Sequence, residues 1–128
     1  MEFLMSVTTH GRAVIAACMA AEQPFRVTRV AVGSGKLPDG AALADVHELY
    51  HYVADGAVGD RRHEGERLLF DVQYSNRNHP EVPTFYLNEF LIYAQDPETG
   101  ENTDFLYANL GDYAQPVPAY QQGLPESV

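Results

Sequence analysis

The sequence predicts an α+β domain in which one N-terminal helix packs on a mainly antiparallel sheet of about five strands. Apolar residues recur at helical spacing near the N terminus, whereas later segments alternate apolar and polar residues or are rich in β-branched and aromatic residues. A chain of 128 residues with 45% hydrophobic residues is long enough for one core and too short for two ordinary domains. One domain is therefore expected.

The helix is predicted from about Thr9 to Gln23. Apolar side chains follow a helical period between Val14 and Ala21, and either Thr8 or Thr9 can cap the first turn. Pro24 is expected to end the helix, because a proline in the helix interior removes a backbone hydrogen bond.

Five later segments are predicted to be strands because they are rich in β-branched and aromatic residues or alternate in polarity. They are Phe25–Val32, Leu49–Ala54, Arg67–Tyr74, Thr84–Ala94 and Phe105–Leu110. A short helical turn is expected at Ala41–Val46, and Asp55–Glu66 is either a loop or a strand that continues into a tight turn. Asp96–Asn102 contains a proline and a glycine, which predicts a hairpin between the last two strands.

The segment after residue 110 is predicted to leave the domain. Residues 1–110 form the predicted α+β domain, and residues 111–128 carry Pro116, Pro118 and Pro125. Because proline cannot donate to a sheet ladder and favours extended backbone, 111–128 is interpreted as an exit segment.

Composition excludes several classes of partner. A formal charge of −10 repels phosphate backbones and anionic lipid surfaces, so neither nucleic acid nor a membrane is expected as a partner. Cys18 is the only cysteine, so no intrachain disulfide can form, and folding in a reducing cytoplasm is expected. The apolar stretch Ala13–Ala21 is far shorter than a bilayer span, and a packed helix is preferred over a signal peptide.

The sharpest enzymatic motif is the string His47-Glu48-Leu49-Tyr50-His51. In zinc peptidases such a string lies on a helix, where two histidines one turn apart bind the metal and the glutamate activates water. His47 and His51 as ligands, with Glu48 as base, therefore define an alternative function as a small zinc-dependent hydrolase.

The same segment favours a strand, in which the motif cannot chelate one ion. Tyr50 to Val53 is rich in β-formers, and two histidines four residues apart on a strand lie about 13 Å from each other. Ala54 and Ala57 stand where metzincins place the glycine and histidine that follow the motif. No enzyme activity, no cofactor and no stoichiometric zinc are therefore expected.

Glu89 is the other notable polar residue, because it interrupts the apolar strand Phe85–Ala94. An unpaired buried carboxylate is costly, so Glu89 is expected either to face water or to pair with a cation such as Arg29.

Eight tyrosines also leave a carbohydrate-binding module as a further hypothesis, although most occupy core-like strand positions.

Three collinear stretches resemble the N-terminal part of phage tail-collar fibre proteins. The first joins Thr8–Ala13 to Phe25–Gly35, with the string Thr-Arg-Val-Ala-Val-Gly, and the second is Phe85–Ala94, an aromatic strand with a glutamate after a polar pair. The third is Tyr107–Ala114 together with Val117–Tyr120. Strands of that family often carry arginine before this glutamate, where the present chain has Asn88.

The resemblance implies a structural component of a phage or prophage tail, made in the bacterial cytoplasm and assembled into the virion tail. It implies a tail-collar or tail-fibre attachment module that contacts other tail or baseplate proteins and self-associates, with a trimer as one form. Contact residues are expected at the sheet edges and in the exit, namely Asp112, Tyr113, Pro118 and Tyr120. Both a truncated piece and a small stand-alone protein fit the sequence.

Overall fold

The computed structural model describes residues 4–23, 25–64, 67–111 and 114–119, and for Leu4 and for residues 59–64 and 67–72 it describes the backbone alone. In this part of the chain one α-helix is followed and preceded by short strands. In chain order the elements are β1 (Leu4–Val7), α1 (Thr9–Ala21), β2 (Val27–Gly33), β3 (Tyr52–Asp55), β4 (Ala57–Glu64), β5 (Arg67–Gln73), β6 (Phe85–Leu87), β7 (Glu89–Gln95), β8 (Asn102–Asn109) and β9 (Gln115–Val117).

The main sheet has five strands in the order β1-β8-β7-β2-β3, and all of its neighbouring pairs are antiparallel. Two smaller two-stranded sheets pair β4 with β5 and β6 with β9. The predicted α+β class, one helix on a mainly antiparallel five-stranded sheet, is confirmed. The predicted hairpin is also present, since β7 and β8 pair through the turn at Asp96–Glu101.

Helix α1 begins and ends at residues with clear local causes. Thr8 is the N-cap, and its hydroxyl accepts a hydrogen bond from the Gly11 N–H at 2.9 Å. Glu22 closes the helix in the left-handed conformation, and its N–H and that of Gln23 bond back to the last turn. The helix thus ends two residues before the predicted boundary, and Pro24, which was expected to end it, lies outside the described residues.

The core has two parts, one on each face of the main sheet. On one face the helix packs through Val14 and Cys18 against side chains that include Val30, Ile92 and Phe105. On the other face the long connection between β2 and β3 lays its apolar residues over Leu91 and Tyr107. The residues of this connection that do so are Leu37, Leu43, Val46 and Leu49.

Several predicted elements are displaced in the structure. The predicted strand Thr84–Ala94 is interrupted at Asn88, so that β6 and β7 belong to different sheets. β1 was not predicted. For Asp55–Glu66 a loop and a strand were both considered, and the structure has the strand β4 there. The predicted helical turn is a three-residue 3-10 turn at Leu43–Asp45.

The part of the predicted exit segment that is described contacts the domain. Gln115–Val117 forms β9 and pairs with β6, with Val117 opposite Phe85. Val117 is 1% exposed and belongs to the helix-side core. The chain therefore still contacts the domain at β9, five to seven residues beyond residue 110.

Within the described residues, no helix has the length and apolar content that a bilayer crossing requires.

Candidate functional site

The HExxH-like string forms neither a helix nor a metal pair. The backbone from Val46 to His51 is irregular, and β3 begins only at Tyr52, three residues after the predicted start of this strand. The side chain of His51 is exposed, and so is that of Glu48. His47 instead turns to Asp104, so the three residues proposed for zinc hydrolysis do not converge.

A cluster that the sequence did not reveal lies around Asp104. One carboxylate oxygen is 2.8 Å from Nδ1 of His10, and the other oxygen is 2.8 Å from Nδ1 of His47. The two imidazole rings stack with their centroids 3.7 Å apart and their planes 16° from parallel. The candidate ligand atoms of the three residues all lie within 4.8 Å of one another. We call these three residues the His-Asp cluster.

Three separate segments build the His-Asp cluster. His10 lies in the first turn of α1, Asp104 in β8, and His47 in the connection between β2 and β3. The Asp104 side chain is 8% exposed, compared with 54% for His10 and 34% for His47. The carboxylate is thus held inside the protein, while the imidazoles separate it from solvent and are themselves accessible.

Local sequence brings the helix terminus onto Asp104. The Thr8 hydroxyl donates to the Asp104 carbonyl at 3.1 Å, and the Thr8 N–H donates to the Phe105 carbonyl at 2.8 Å. A Cβ at Gly11 would overlap the Phe105 carbonyl oxygen, so only glycine permits this close approach. Thr8 and Gly11 therefore fix the position of His10 above β8.

A bulge in β8 separates two neighbouring side chains. Ile92 is paired with Leu106 and Tyr93 with Asp104, which leaves Phe105 as the extra residue. Phe105 consequently packs in the helix-side core, whereas Asp104 is free to meet both histidines.

The electrostatic environment favours the ionised carboxylate. Burial raises the pKa of Asp104. The hydrogen bonds from His47 and His10 lower it, and their combined effect outweighs that of burial, so the pKa lies below its ordinary value of 3.8. Asp104 is therefore an anion at neutral pH, with both of its oxygens directed at imidazole nitrogens.

A second buried carboxylate, Glu89, has a different set of partners. Glu89 is 0% exposed and accepts hydrogen bonds from the backbone N–H groups of Gly35, Tyr50 and His51, at 2.9, 3.0 and 2.8 Å. The Tyr107 hydroxyl donates to the same carboxylate at 2.8 Å. We call Glu89 with these four donors the Glu89 network. Among the described side chains, these four donors satisfy the carboxylate without a cation.

The prediction for Glu89 was therefore wrong in both of its forms. Glu89 does not face water, and Arg29 instead forms an ion pair with Asp55 at 2.9 Å. The guanidinium of Arg29 also lies 4.8 Å from the ring centroid of Tyr93. Backbone N–H groups of the β2–β3 connection bind Glu89 in place of the expected cation, and no sequence pattern predicts these hydrogen bonds.

The Glu89 network also determines the start of the β2–β3 connection. A Cβ at Gly35 would lie 2.5 Å from a carboxylate oxygen of Glu89, so the backbone can approach only because this residue is glycine. The Asn88 side chain donates to the Gly35 carbonyl, and Asn88 is 2% exposed. Asn88 thus holds the same connection from the adjacent position.

Burial raises the pKa of Tyr107 above its ordinary value of 10. The hydrogen bond from Asn109 lowers this pKa by less than burial raises it, and the nearby Glu89 carboxylate raises it further, because the hydroxyl must stay protonated to donate.

The remaining predicted positions are scattered. Pro118 is exposed at the end of the described segment, next to β9, whereas Asp112, Tyr113 and Tyr120 lie outside the described residues. His10 contacts Asp104, and Nε2 of His79 lies 2.8 Å from the Asp55 carbonyl oxygen. Cys18 is 6% exposed, and burial raises the pKa of its thiol.

Comparison of the chain with protein-family models, with curated proteins and with solved structures finds no match.

Proposed function

We propose that the chain is a structural component of a phage or prophage tail, a tail-collar or tail-fibre attachment module that works through protein–protein contacts. The supporting observation is that the three stretches resembling tail-collar fibre proteins meet at the Glu89 network. Gly35 comes from the first stretch, Glu89 from the second and Tyr107 from the third. Residues far apart in the chain thus share one buried contact.

The burial and hydrogen bonding of Glu89 favour a structural role over a catalytic one. Glu89 is fully buried, and its oxygens accept hydrogen bonds from backbone and tyrosine donors. Asn109 donates to the Tyr107 hydroxyl at 3.0 Å. A carboxylate that is enclosed and satisfied in this way stabilises the fold and offers no lone pair to a substrate.

The two edges of the main sheet are the proposed docking surfaces. In the described part of the chain β1 pairs with β8 alone and β3 with β2 alone within the main sheet, so both are edge strands, the kind to which a partner strand can add. Large apolar side chains are exposed at both edges, with Met5 50% and Tyr52 52% exposed. Pro118 and the other predicted exit residues, Asp112, Tyr113 and Tyr120, remain proposed contacts.

The partners proposed are other tail or baseplate proteins and further copies of this chain, with a trimer as one assembly. In this proposal the protein is made in the bacterial cytoplasm and joins the virion tail. No nucleic acid or membrane takes part, since a net charge of −10 disfavours both phosphate backbones and anionic lipid.

The test is co-expression of the chain with phage tail and baseplate proteins, followed by size-exclusion chromatography with light scattering. We expect a homo-oligomer or a stable complex with one of these proteins. A chain that stays monomeric and binds none of the co-expressed proteins contradicts the proposed function.

Edge variants test how the module docks. Lysine at an exposed edge position disfavours strand addition, so Met5→Lys or Tyr52→Lys is expected to weaken the assembly. Met19→Lys is the matched control, because Met19 is 75% exposed but lies on the helix. Equal effects of all three variants would contradict docking through the sheet edges.

A further inference from the structure

We propose that the His-Asp cluster binds one divalent transition-metal ion of the zinc class, which fastens the start of α1 and the β2–β3 connection to β8. The donors are Nδ1 of His10, Nδ1 of His47 and a carboxylate oxygen of Asp104. This site differs from the zinc-peptidase arrangement, because it uses neither Glu48 nor His51. It also replaces the sequence-based expectation that the protein carries no metal.

The donor set and its spacing suit such an ion. Zinc binds imidazole nitrogen and carboxylate oxygen at about 2.0–2.2 Å, which separates neighbouring tetrahedral ligand atoms by about 3.3 Å. The three candidate ligand atoms already lie within 4.8 Å of one another. Two imidazoles disfavour calcium and magnesium, which take oxygen ligands.

Binding one ion requires an imidazole to rotate out of the stacked arrangement. The imidazole planes are within 16° of parallel, so the two Nδ1 lone pairs must tilt toward each other to share an ion. The His10 side chain is 54% exposed and therefore has room for this rotation, while the Asp104 side chain, 8% exposed, is held in place. The exposed side of the site leaves a coordination position for water.

The surroundings of the cluster support a bound cation. Nδ1 can bind a metal only if the imidazole proton lies on Nε2, and Nε2 of His47 is 3.4 Å from the Thr9 hydroxyl, which can accept it. The whole chain carries a formal charge of −10, which favours a cation over an anion as the ligand.

The experiment titrates the full-length chain, freed of metal by a chelator, with Zn²⁺ in a calorimeter and with Co²⁺ by visible absorption. We expect saturable binding of one ion per chain and the Co²⁺ absorption typical of mixed nitrogen and oxygen ligands. Because loss of even an outer-shell partner weakens metal binding by about 10–100-fold, His10→Ala and His47→Ala are each expected to weaken it by at least about tenfold. Ca²⁺ at the same concentrations is expected not to compete.

His51→Ala is the matched control, since His51 is exposed and belongs to the same HExxH-like string. It is expected to leave the Zn²⁺ affinity unchanged. His10→Ala keeps the test valid should His47→Ala fail to fold, because His10 is the most exposed of the three ligands. Absence of saturable binding, or binding that His51→Ala weakens as much as His10→Ala does, overturns the proposal.

Discussion

Two buried carboxylates attach the same connection to the sheet, and they do so with opposite chemistry. Glu89 is 0% exposed and is satisfied by three backbone N–H groups and one tyrosine hydroxyl. Asp104 is satisfied by two imidazoles, one of which is 54% exposed. Backbone donors cannot leave or change charge, whereas imidazoles can exchange protons, bind metals or rotate into solvent.

The difference separates a permanent attachment from an exchangeable one. The Glu89 network lies where β2 leaves and β3 enters the sheet, so it defines the path of the connection. The His-Asp cluster lies at the start of α1 and β8, where solvent and ions have access. Changes at Glu89 are therefore expected to reduce the stability of the whole fold, whereas changes at Asp104 should alter a local contact.

The largest effect is expected from Glu89→Ala. This change leaves three buried N–H groups and the Tyr107 hydroxyl without their acceptor, and the free energy of unfolding is expected to fall by about 3–5 kcal/mol. Urea denaturation followed by circular dichroism measures it. Glu89→Gln keeps one acceptor oxygen and should cost about half as much, and a loss below about 1 kcal/mol for Glu89→Ala would contradict the role given to the network.

Asp104→Asn is expected to cost less, about 1–2 kcal/mol in metal-free buffer, because the histidines that lose their carboxylate can turn to water. The same denaturation experiment compares it with Glu89→Ala, for which the larger loss of about 3–5 kcal/mol is expected. Equal losses for the two variants would remove the distinction between a permanent and an exchangeable attachment.

Alkaline pH tests the Glu89 network alone, because its donor Tyr107 loses a proton there and Asp104 has no such donor among the described residues. The pKa of Tyr107 is raised in the folded protein, so its contribution to stability is complete below pH 10, the ordinary value, and declines as the pH rises further. Tyr107→Phe is expected to cost about 1–2 kcal/mol at pH 7. The gap between the wild type and this variant should narrow above pH 10, as measured by urea denaturation at several pH values. A gap that widens with pH would contradict the raised pKa.

The smallest effect is expected from Thr8→Ala, which removes the N-cap of α1 and the hydrogen bond to the Asp104 carbonyl. A loss of about 1 kcal/mol is expected. Thr9→Ala is the control, because Thr9 is exposed and its hydroxyl makes only a 3.4 Å contact to His47. Thermal unfolding of the two variants should rank Thr8→Ala as the less stable.

Features of the fold set by neighbouring residues could be predicted from the sequence. Helix α1 follows from helical spacing around Val14 and Cys18, and the β7–β8 hairpin follows from the proline and glycine of its turn. β1 was missed because four residues before a helix carry too little pattern. The break at Asn88 was missed because its cause is tertiary, since Asn88 bonds to the carbonyls of Gly33 and Gly35.

The two clusters could not be predicted, because their members are far apart in sequence. His10 and Asp104 are 94 residues apart, and Glu89 lies 38 residues from the His51 amide that it binds. The only sign of these contacts in the sequence is the glycine at positions 11, 33 and 35, where a Cβ would collide with the opposing segment. A glycine can indicate that another segment comes close, but it does not identify that segment.

Amide hydrogen exchange measured by NMR at Gly35, Tyr50 and His51 tests most directly whether the Glu89 network locks the connection. These amides belong to an irregular segment, but each donates to a carboxylate that is 0% exposed. We expect them to exchange as slowly as amides in the central strands, and to lose this protection in Glu89→Ala. Exchange at the rate of an open loop in the wild-type protein would contradict the account.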